Sequence, residues 1–137
     1  MILPQVKGGD ATLTDCSFES SSVVYITERT AEGELKTKRG EGVVIVEGDN
    51  TGQLTIDACR FERNLGSSIV RIRSQRSAVI RNSVFFENNL ERFDGAFILP
   101  LENRNEILSV AYTQHVTFVD TRFELNRGVA IVAFRSE

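Results

Sequence analysis

The sequence predicts an all-β protein built as a parallel β-helix of about four coils. One segment pattern recurs four times along the 137 residues, which indicates a repeat architecture. The recurring segments are short, rich in β-branched residues and bounded by Gly, Asn and Ser, as strands and tight turns are. Nowhere does the chain keep the roughly 3.6-residue apolar period of an amphipathic helix, so we expect helices to be nearly absent.

The repeat is clearest in "TIDACRFERN" (residues 55–64), where Ile56, Cys59, Phe61 and Asn64 stand at fixed offsets. Two positions before Ile56 the four copies hold Ala11, Leu54, Ala78 and Val116, and at the position of Ile56 they hold Leu13, Ile56, Ile80 and Phe118. Three positions after it they hold Cys16, Cys59, Ser83 and Thr121, and five positions after it Phe18, Phe61, Phe85 and Phe123. Eight positions after it they hold Ser21, Asn64, Asn88 and Asn126. Ile56 and Ile80 are 24 residues apart, a length that suits one coil. The neighbouring spacings of 43 and 38 residues indicate insertions.

Stacking of coils explains why each position keeps its residue type. Equivalent strands in adjacent coils lie ~4.8 Å apart, so equivalent side chains contact each other from coil to coil. We therefore predict a ladder of phenylalanines in the core and a ladder of asparagines in a turn. Asn suits the turn because it tolerates left-handed backbone angles and its amide reaches the next amide. The predicted ladder residues are Phe18, Phe61, Phe85 and Phe123, and Asn64, Asn88 and Asn126.

The two cysteines, Cys16 and Cys59, occupy one position in successive copies. They are interpreted as stacked buried thiols, although a strained disulfide between neighbouring coils stays open as an alternative. Two cysteines supply neither a disulfide scaffold nor a four-ligand zinc site. We expect no metal and no cofactor.

Three copies contain the motif Phe-x-x-Asn, and each is followed by a glycine and a small apolar stretch. These stretches are "GSSIVRI" from Gly66, "GAFILPL" from Gly95 and "GVAIVAF" from Gly128. The alternation resembles the FxxN and GGA[ILV] repeats of polymorphic outer-membrane proteins and, more broadly, the right-handed β-helices of the pectin-lyase-like class. The likeness covers about residues 11–27, 53–101 and 115–134, although the triplet GGA is absent. It implies a right-handed parallel β-helix (a solenoid) and an extracellular or cell-surface location.

The whole chain is predicted to be one β-helix domain, residues 1–137, or a segment of a longer one. Two long insertions are expected at about residues 28–46 and 102–112. Net charge is −3 and the arginines are scattered, which argues against a nucleic-acid groove. No apolar run approaches the roughly 18 residues of a membrane span, and the N-terminus lacks the pattern of a signal peptide.

The sequence favours a non-catalytic role. A row of acidic residues predicted to follow the phenylalanines, Glu19, Glu62, Glu87 and Glu124, is interspersed with arginines and is interpreted as a solvated charged edge. His115, the only histidine, has no acidic neighbour in the sequence, so a surface role is favoured over general-base catalysis. A row of outward threonines, Thr12, Thr55 and Thr117, is interrupted by Val79.

We therefore expect a binding or adhesion module that contacts another protein, or a glycan, through its insertions and outer faces. The alternatives are a carbohydrate-acting β-helix enzyme, of the polysaccharide lyase or hydrolase type, whose site is incomplete here, and a structural subunit of a larger assembly. Open strand edges at the ends of the β-helix favour self-association or pairing with a partner protein.

One outer face is predicted to be an apolar interface. Arg71 and Arg73 are costly to bury and should point outward, which turns Val70 and Ile72 inward. The equivalent inward pairs are predicted to be Val24/Ile26, Leu99/Leu101 and Val132/Phe134. The same alternation places Val23, Ile69, Ile98 and Ile131 outward on successive coils, to be covered by the segment around residues 107–112 or by a partner.

Overall fold

A computed structural model describes residues 5–7, 9–21, 25–39, 42–65, 68–89, 106–127 and 130–135. Every regular element in these ranges is a β-strand, so the predicted all-β class is confirmed. The strands are β1 (Gln5–Lys7), β2 (Ala11–Thr14), β3 (Ser17–Glu19), β4 (Tyr25–Arg29), β5 (Leu35–Arg39), β6 (Val44–Glu47), β7 (Gln53–Asp57), β8 (Arg60–Glu62), β9 (Ser68–Arg73), β10 (Ser77–Arg81), β11 (Val84–Phe86), β12 (Glu106–Ala111), β13 (His115–Val119), β14 (Arg122–Glu124) and β15 (Ala130–Arg135).

Thirteen of these strands form three stacks, and all pairings within the stacks are parallel. Stack A contains β1, β6, β9, β12 and β15, stack B contains β2, β7, β10 and β13, and stack C contains β3, β8, β11 and β14. The chain visits the stacks in the repeating order A, B, C. We call each such passage a round: β1–β3 are the first, β6–β8 the second, β9–β11 the third and β12–β14 the fourth.

The register between rounds follows the sequence repeat. In stack B, Ile80 pairs with Ile56 on one side and with Phe118 on the other. In stack C, Phe85 pairs with Phe61 and Phe123 in the same way. Residues that share a repeat position are therefore neighbours in space, and the parallel pairing predicted from the repeat is confirmed.

The inward side chains of the three stacks form one hydrophobic cluster. Its fully buried members include Ile56, Phe61, Ile80 and Phe85 of the second and third rounds, and Ile107 and Leu108 of β12 in the fourth. In stacks B and C the equivalent residues of the first and fourth rounds pack against the cluster but are only partly buried, since each has a neighbouring round on one side only; they are Leu13, Phe18 and Phe123 among others.

Two strands of stack A differ from the prediction. Residues 102–112 are predicted to be an insertion, but Glu106–Ala111 is a central strand whose six residues are all buried. Residues 28–46 are predicted to be an insertion as well, but its last part belongs to β6 in stack A. The inward partners of Val70 and Ile72 are consequently Val44 and Val46 on one side, and Leu108 and Val110 on the other.

The segment containing the predicted inward residue Ile26 has a different role. Strand β4 pairs with β5 in an antiparallel hairpin, apart from the three stacks. Residues Val23, Val24, Ile98, Leu99 and Leu101 lie outside the described ranges. Strand β5 of this hairpin falls within the insertion predicted at about residues 28–46.

The turns between stacks use left-handed backbone angles at residues that are not glycine. Between stacks B and C these residues are Asp15, Ala58, Asn82 and Asp120, and after stack C they are Ser20, Arg63, Glu87 and Leu125, all with φ between 46° and 54°. A left-handed angle costs roughly 1–2 kcal/mol for an ordinary residue. In the first three rounds the N–H of each such residue donates to a carbonyl of the next round, at 2.9–3.1 Å, which offsets this cost.

Candidate functional site

The phenylalanine ladder runs through the core beside stack C. The rings of Phe61 and Phe85 are stacked with centroids 4.6 Å apart, as are those of Phe85 and Phe123. Phe18 stacks on Phe61 at 5.2 Å. Interplanar angles of 6°, 11° and 9° show that the four rings are nearly parallel. The ladder positions each round relative to the next, because a shift of one residue would separate the rings.

The asparagine ladder joins the same rounds by hydrogen bonds. The Asn64 amide donates to Asn88 Oδ1 at 3.1 Å, and the Asn88 amide donates to Asn126 Oδ1 at 2.8 Å. Each Oδ1 also accepts the backbone N–H of the preceding ladder residue, at 3.0–3.1 Å. Each Nδ2 further donates to the carbonyl of a phenylalanine in the round before, at 2.8–2.9 Å. The buried amides are thereby satisfied.

The backbone of the asparagine turn differs from the expectation. The left-handed residue is the one before each asparagine, namely Arg63, Glu87 or Leu125, rather than the asparagine itself. The asparagine is needed for its side-chain amide, which must point into the turn to bond the rounds on both sides.

Both cysteines are free thiols, and Cys59 is buried. They sit at the turn between stacks B and C, where Cys59 Sγ donates to the carbonyls of Asp57 and Leu13, each at 3.4 Å. Ser83 and Thr121 make the same bond to the carbonyl two residues earlier, at 2.9 and 3.0 Å. Burial raises the pKa of the Cys59 thiol, so it stays neutral. The position therefore selects a small side chain with a donor hydrogen.

The outer face of stack C carries charge, with one correction to the predicted acidic row. Glu19, Glu62 and Glu124 are in register, but Phe86 occupies the third place and Glu87 lies in the following turn. Glu62 is only 6% exposed. It accepts from Arg60 Nε at 2.8 Å and contacts Arg63 at 3.5 Å. These pairs compensate the charge of the buried carboxylate.

In stack A, most of the row that was predicted to be an outward apolar interface is buried within the chain. Ile69, one of the predicted interface residues, is 0% exposed and belongs to the hydrophobic cluster. Its neighbour is Val43, the residue before β6, whose N–H donates to the Ile69 carbonyl at 3.1 Å, rather than the predicted Val23. On the other side the corresponding residue is Ile107, between the paired positions Glu106 and Leu108, rather than Ile98. Val43 and Ile107 are buried as well, so these three positions offer no surface to a partner.

Ile131, the fourth predicted interface residue, continues this row next to Ile107 but lies on β15, the last strand of stack A. It is 37% exposed, and several other large apolar residues of the fourth round and β15 are exposed with it. We call this surface the open end; its exposed apolar residues are Phe118 (38%), Val119 (45%), Leu125 (66%), Ile131 (37%) and Phe134 (61%). The sequence predicts open strand edges at the ends of the β-helix, but it does not predict the exposure of these side chains. In the middle rounds the positions of Phe118 and Phe134 are core positions.

An ion pair between a buried carboxylate and an exposed arginine anchors β15 at the open end. Glu106 of β12 is buried and contacts the guanidinium of Arg135, which also donates to Ser109 Oγ at 3.2 Å. Nothing in the sequence repeat indicates this pair, because its members hold different positions of the repeat: Glu106 is in register with Ala130, and Arg135 with Ala111.

Among the described residues, those considered for catalysis do not come together in one site. His115 is at the exposed start of β13, in register with Ser77, and its N–H donates to the Arg76 carbonyl at 3.3 Å. Among the described residues no group of three or more His, Cys, Asp and Glu side chains is placed to hold a metal ion. The threonine row is in register as Thr12, Thr55, Val79 and Thr117.

No protein-family model, curated protein or solved structure matches the chain. In the described part of the chain there is no helix of the length and apolar character that would cross a membrane.

Proposed function

We propose that the chain is a right-handed parallel β-helix of four coils and one further strand, and that it is a non-catalytic module that binds protein through its open end. The four rounds, whose strands keep one register through stacks B and C, support the coils. The right hand follows from the general rule that about 98% of crossovers between parallel strands of one sheet are right-handed.

The observation that carries the binding function is the exposure of core-type side chains at the open end. Phe134 is 61% exposed, whereas Ile72 and Val110, which occupy the same column of stack A, are buried. Phe118 is 38% exposed, whereas its partner Ile80 is fully buried. Exposed large apolar side chains at positions that are buried elsewhere are typical of interaction sites, and unpaired strand edges add hydrogen-bonding capacity to them.

A sedimentation-velocity series tests this function. We expect the wild-type chain to associate reversibly as its concentration rises, through contacts that cover the open end. The double variant Phe118→Ser, Phe134→Ser should sediment as a monomer over the same range. Leu35→Ser is the matched control, because Leu35 is 67% exposed in the hairpin away from the open end, and it should associate like the wild type.

Equal association of the wild type and the double variant would contradict the proposal, as would a wild type that stays monomeric throughout. Far-ultraviolet circular dichroism of each variant checks that the fold is kept. The substituted phenylalanines are partly exposed, so we expect the spectra to coincide.

A further inference from the structure

The three stacks do not end at the same level at the open end. Stack A has five strands, whereas stacks B and C have four each. Strand β15 therefore stands one level above β13 and β14 and leaves a step beside it. The floor of the step is formed by the edges of β13 and β14, and one wall is β15.

A folded second copy of the chain can cover the open end, but its strands cannot pair with β13, β14 and β15 at the same time. In the first round β1, β2 and β3 pair with β6, β7 and β8, so the three strands lie at one level. If β2 and β3 of a second copy were placed on β13 and β14, its β1 would coincide with β15. If its β1 were placed on β15 instead, stacks B and C would each lack a strand. The occupant that completes the step is thus two strands joined by one turn.

The floor of the step presents backbone donors in a fixed pattern. In the third round the N–H groups of Asn82, Glu87 and Asn88 donate to acceptors of the fourth round at 2.9, 3.1 and 3.0 Å. No acceptor for the equivalent donors of the fourth round lies among the described residues. These donors are the N–H groups of Asp120, Leu125 and Asn126. Asp120 and Leu125 have left-handed φ like their counterparts, 46° and 53°, so their N–H groups point to the side away from the third round.

We propose that the step binds an extended segment of a separate polypeptide, which adds one parallel strand to β13 and one to β14 and carries this chain's own repeat. The proposal rests on the proposed function, because it names the partner of the same open end. Backbone pairing to an open sheet edge, with side-chain pockets for selectivity, is an established mode of peptide recognition.

The repeat pattern follows from what each position of the floor would contact. An apolar residue is needed over Phe118, and a small donor residue three positions later over Thr121. A phenylalanine two positions further on would stack on Phe123, continuing the 4.6 Å spacing of the ladder. An asparagine three positions after it would accept from both the N–H and the amide of Asn126, as Asn126 itself accepts from Asn88.

The charges on β14 decide which copy of the repeat is suitable as a probe peptide. The outward residues of β14 are Arg122 and Glu124, which form an ion pair at 3.3 Å. The second-round copy would place Arg60 over Arg122 and Glu62 over Glu124, and the fourth-round copy would repeat the same like charges. The third-round copy carries Val84 and Phe86 at these two positions, and these residues already lie next to Arg122 and Glu124 in the fold. The probe is therefore a peptide of residues 77–89, SAVIRNSVFFENN.

The test is a fluorescence-anisotropy titration of the labelled peptide with the full chain. We expect saturable binding. The peptide variant Asn88→Leu should bind at least about tenfold more weakly, because leucine leaves two donors of Asn126 unpaired. On the chain side, Phe118→Ser should weaken binding by about the same factor, and the control Leu35→Ser should leave it unchanged. Hydrogen exchange of the Asp120 and Leu125 amides should slow at least about tenfold when the peptide is bound.

Absence of saturable binding overturns the proposal, and so does binding that is indifferent to both Asn88→Leu and Phe118→Ser or leaves the two amides unprotected. If the peptide fails while the wild type still associates through its open end, only strand addition is wrong. If both fail, the binding function is wrong as well.

Discussion

The third and fourth rounds contain the same repeat in two environments. Phe85 in the third round has a stacked ring on each side, whereas Phe123 in the fourth has Phe85 on one side only. Asn88 is fully buried, whereas Asn126 is partly exposed. The comparison teaches that a repeat position stabilises the fold fully only when both neighbouring rounds are present. The last round keeps the same residues but has unused contacts on one side.

The largest difference between the two rounds should appear in the phenylalanine ladder. Phe85→Ala should lower the free energy of unfolding by about 3–5 kcal/mol, because it removes a buried ring and leaves a cavity between two rings. Phe61→Ala should cost a similar amount for the same reason. Phe123→Ala should cost about half as much, since water already reaches that site. Urea unfolding of the three variants checks this order; equal losses for Phe85→Ala and Phe123→Ala would break the comparison.

The asparagine ladder gives the next largest effect. Asn88→Ala removes the oxygen that accepts from the Asn64 N–H and from the Asn64 side-chain amide. It also removes the amide that donates to the Phe61 carbonyl. We expect a loss of about 3 kcal/mol, because buried polar groups without partners cost about 1–3 kcal/mol each and the site relaxes in part. Asn126→Ala breaks the equivalent bonds in the fourth round, but water can replace them there, so about 1 kcal/mol is expected. A thermal or urea melt in which the two variants behave alike would show that the open end is not solvated.

The ion pair that holds β15 should have a smaller effect. Arg135→Ala leaves the buried Glu106 carboxylate without its cation. Removing one partner of a fully buried pair costs about 3–5 kcal/mol, but Arg135 is 40% exposed, so we expect about 1–2 kcal/mol. The double variant Arg135→Ala, Glu106→Gln should recover part of this loss. If the single variant is as stable as the wild type, Glu106 does not depend on the strand at the open end.

The smallest effect is a pH dependence on the outer face of stack B. Asn82 donates to Asp57 Oδ1 at 3.1 Å and Arg81 Nε lies 3.0 Å from Oδ2. Hydrogen bonds from Asn82 and then from Arg81 lower the pKa of Asp57 below its ordinary value of 3.8. The carboxylate therefore stabilises the folded chain at pH values above 3.8, and this contribution is lost as the pH falls through the lowered pKa.

Comparing urea unfolding of the wild type and Asp57→Asn at several pH values tests this sign. The wild type should be the more stable at neutral pH, and the difference should disappear in acid. Asn82→Ala, which removes the first donor, should reduce the pH dependence. A difference that grows as the pH falls would show that the pKa is raised instead.

How much the sequence could predict is clearest from stack A. The phenylalanine and asparagine positions were found because their spacing within a repeat is constant, from Ile56 to Asn64 and from Ile80 to Asn88. The prediction locates the next strand of stack A by its distance after Asn88 and therefore misses β12, because the length of that connection varies from round to round. The distance from a stack A strand to the repeat segment that follows it locates β12 correctly. Val110 precedes Phe118 by eight residues, as Ile72 precedes Ile80.

The exposure of the open end could not be predicted from the repeat for a different physical reason. Phe118 and Phe134 are apolar at positions that are buried in other rounds, and a repeat pattern does not state which copy has no neighbour. The burial of Ile69 shows the converse. Alternation placed it on the outer face, but its burial depends on what covers that face, which is a long-range property. The pairing of Glu106 with Arg135 is long-range in the same sense.

Residue-resolved amide hydrogen exchange tests the contrast between the rounds most directly. The amides of Asn82, Glu87 and Asn88 donate to the fourth round at 2.9–3.1 Å, and they should be strongly protected. The amides of Asp120, Leu125 and Asn126 have the same sequence positions and should exchange at nearly the rate of an unstructured chain. Equal, strong protection of both sets in the isolated chain would contradict the open end and the binding function proposed from it.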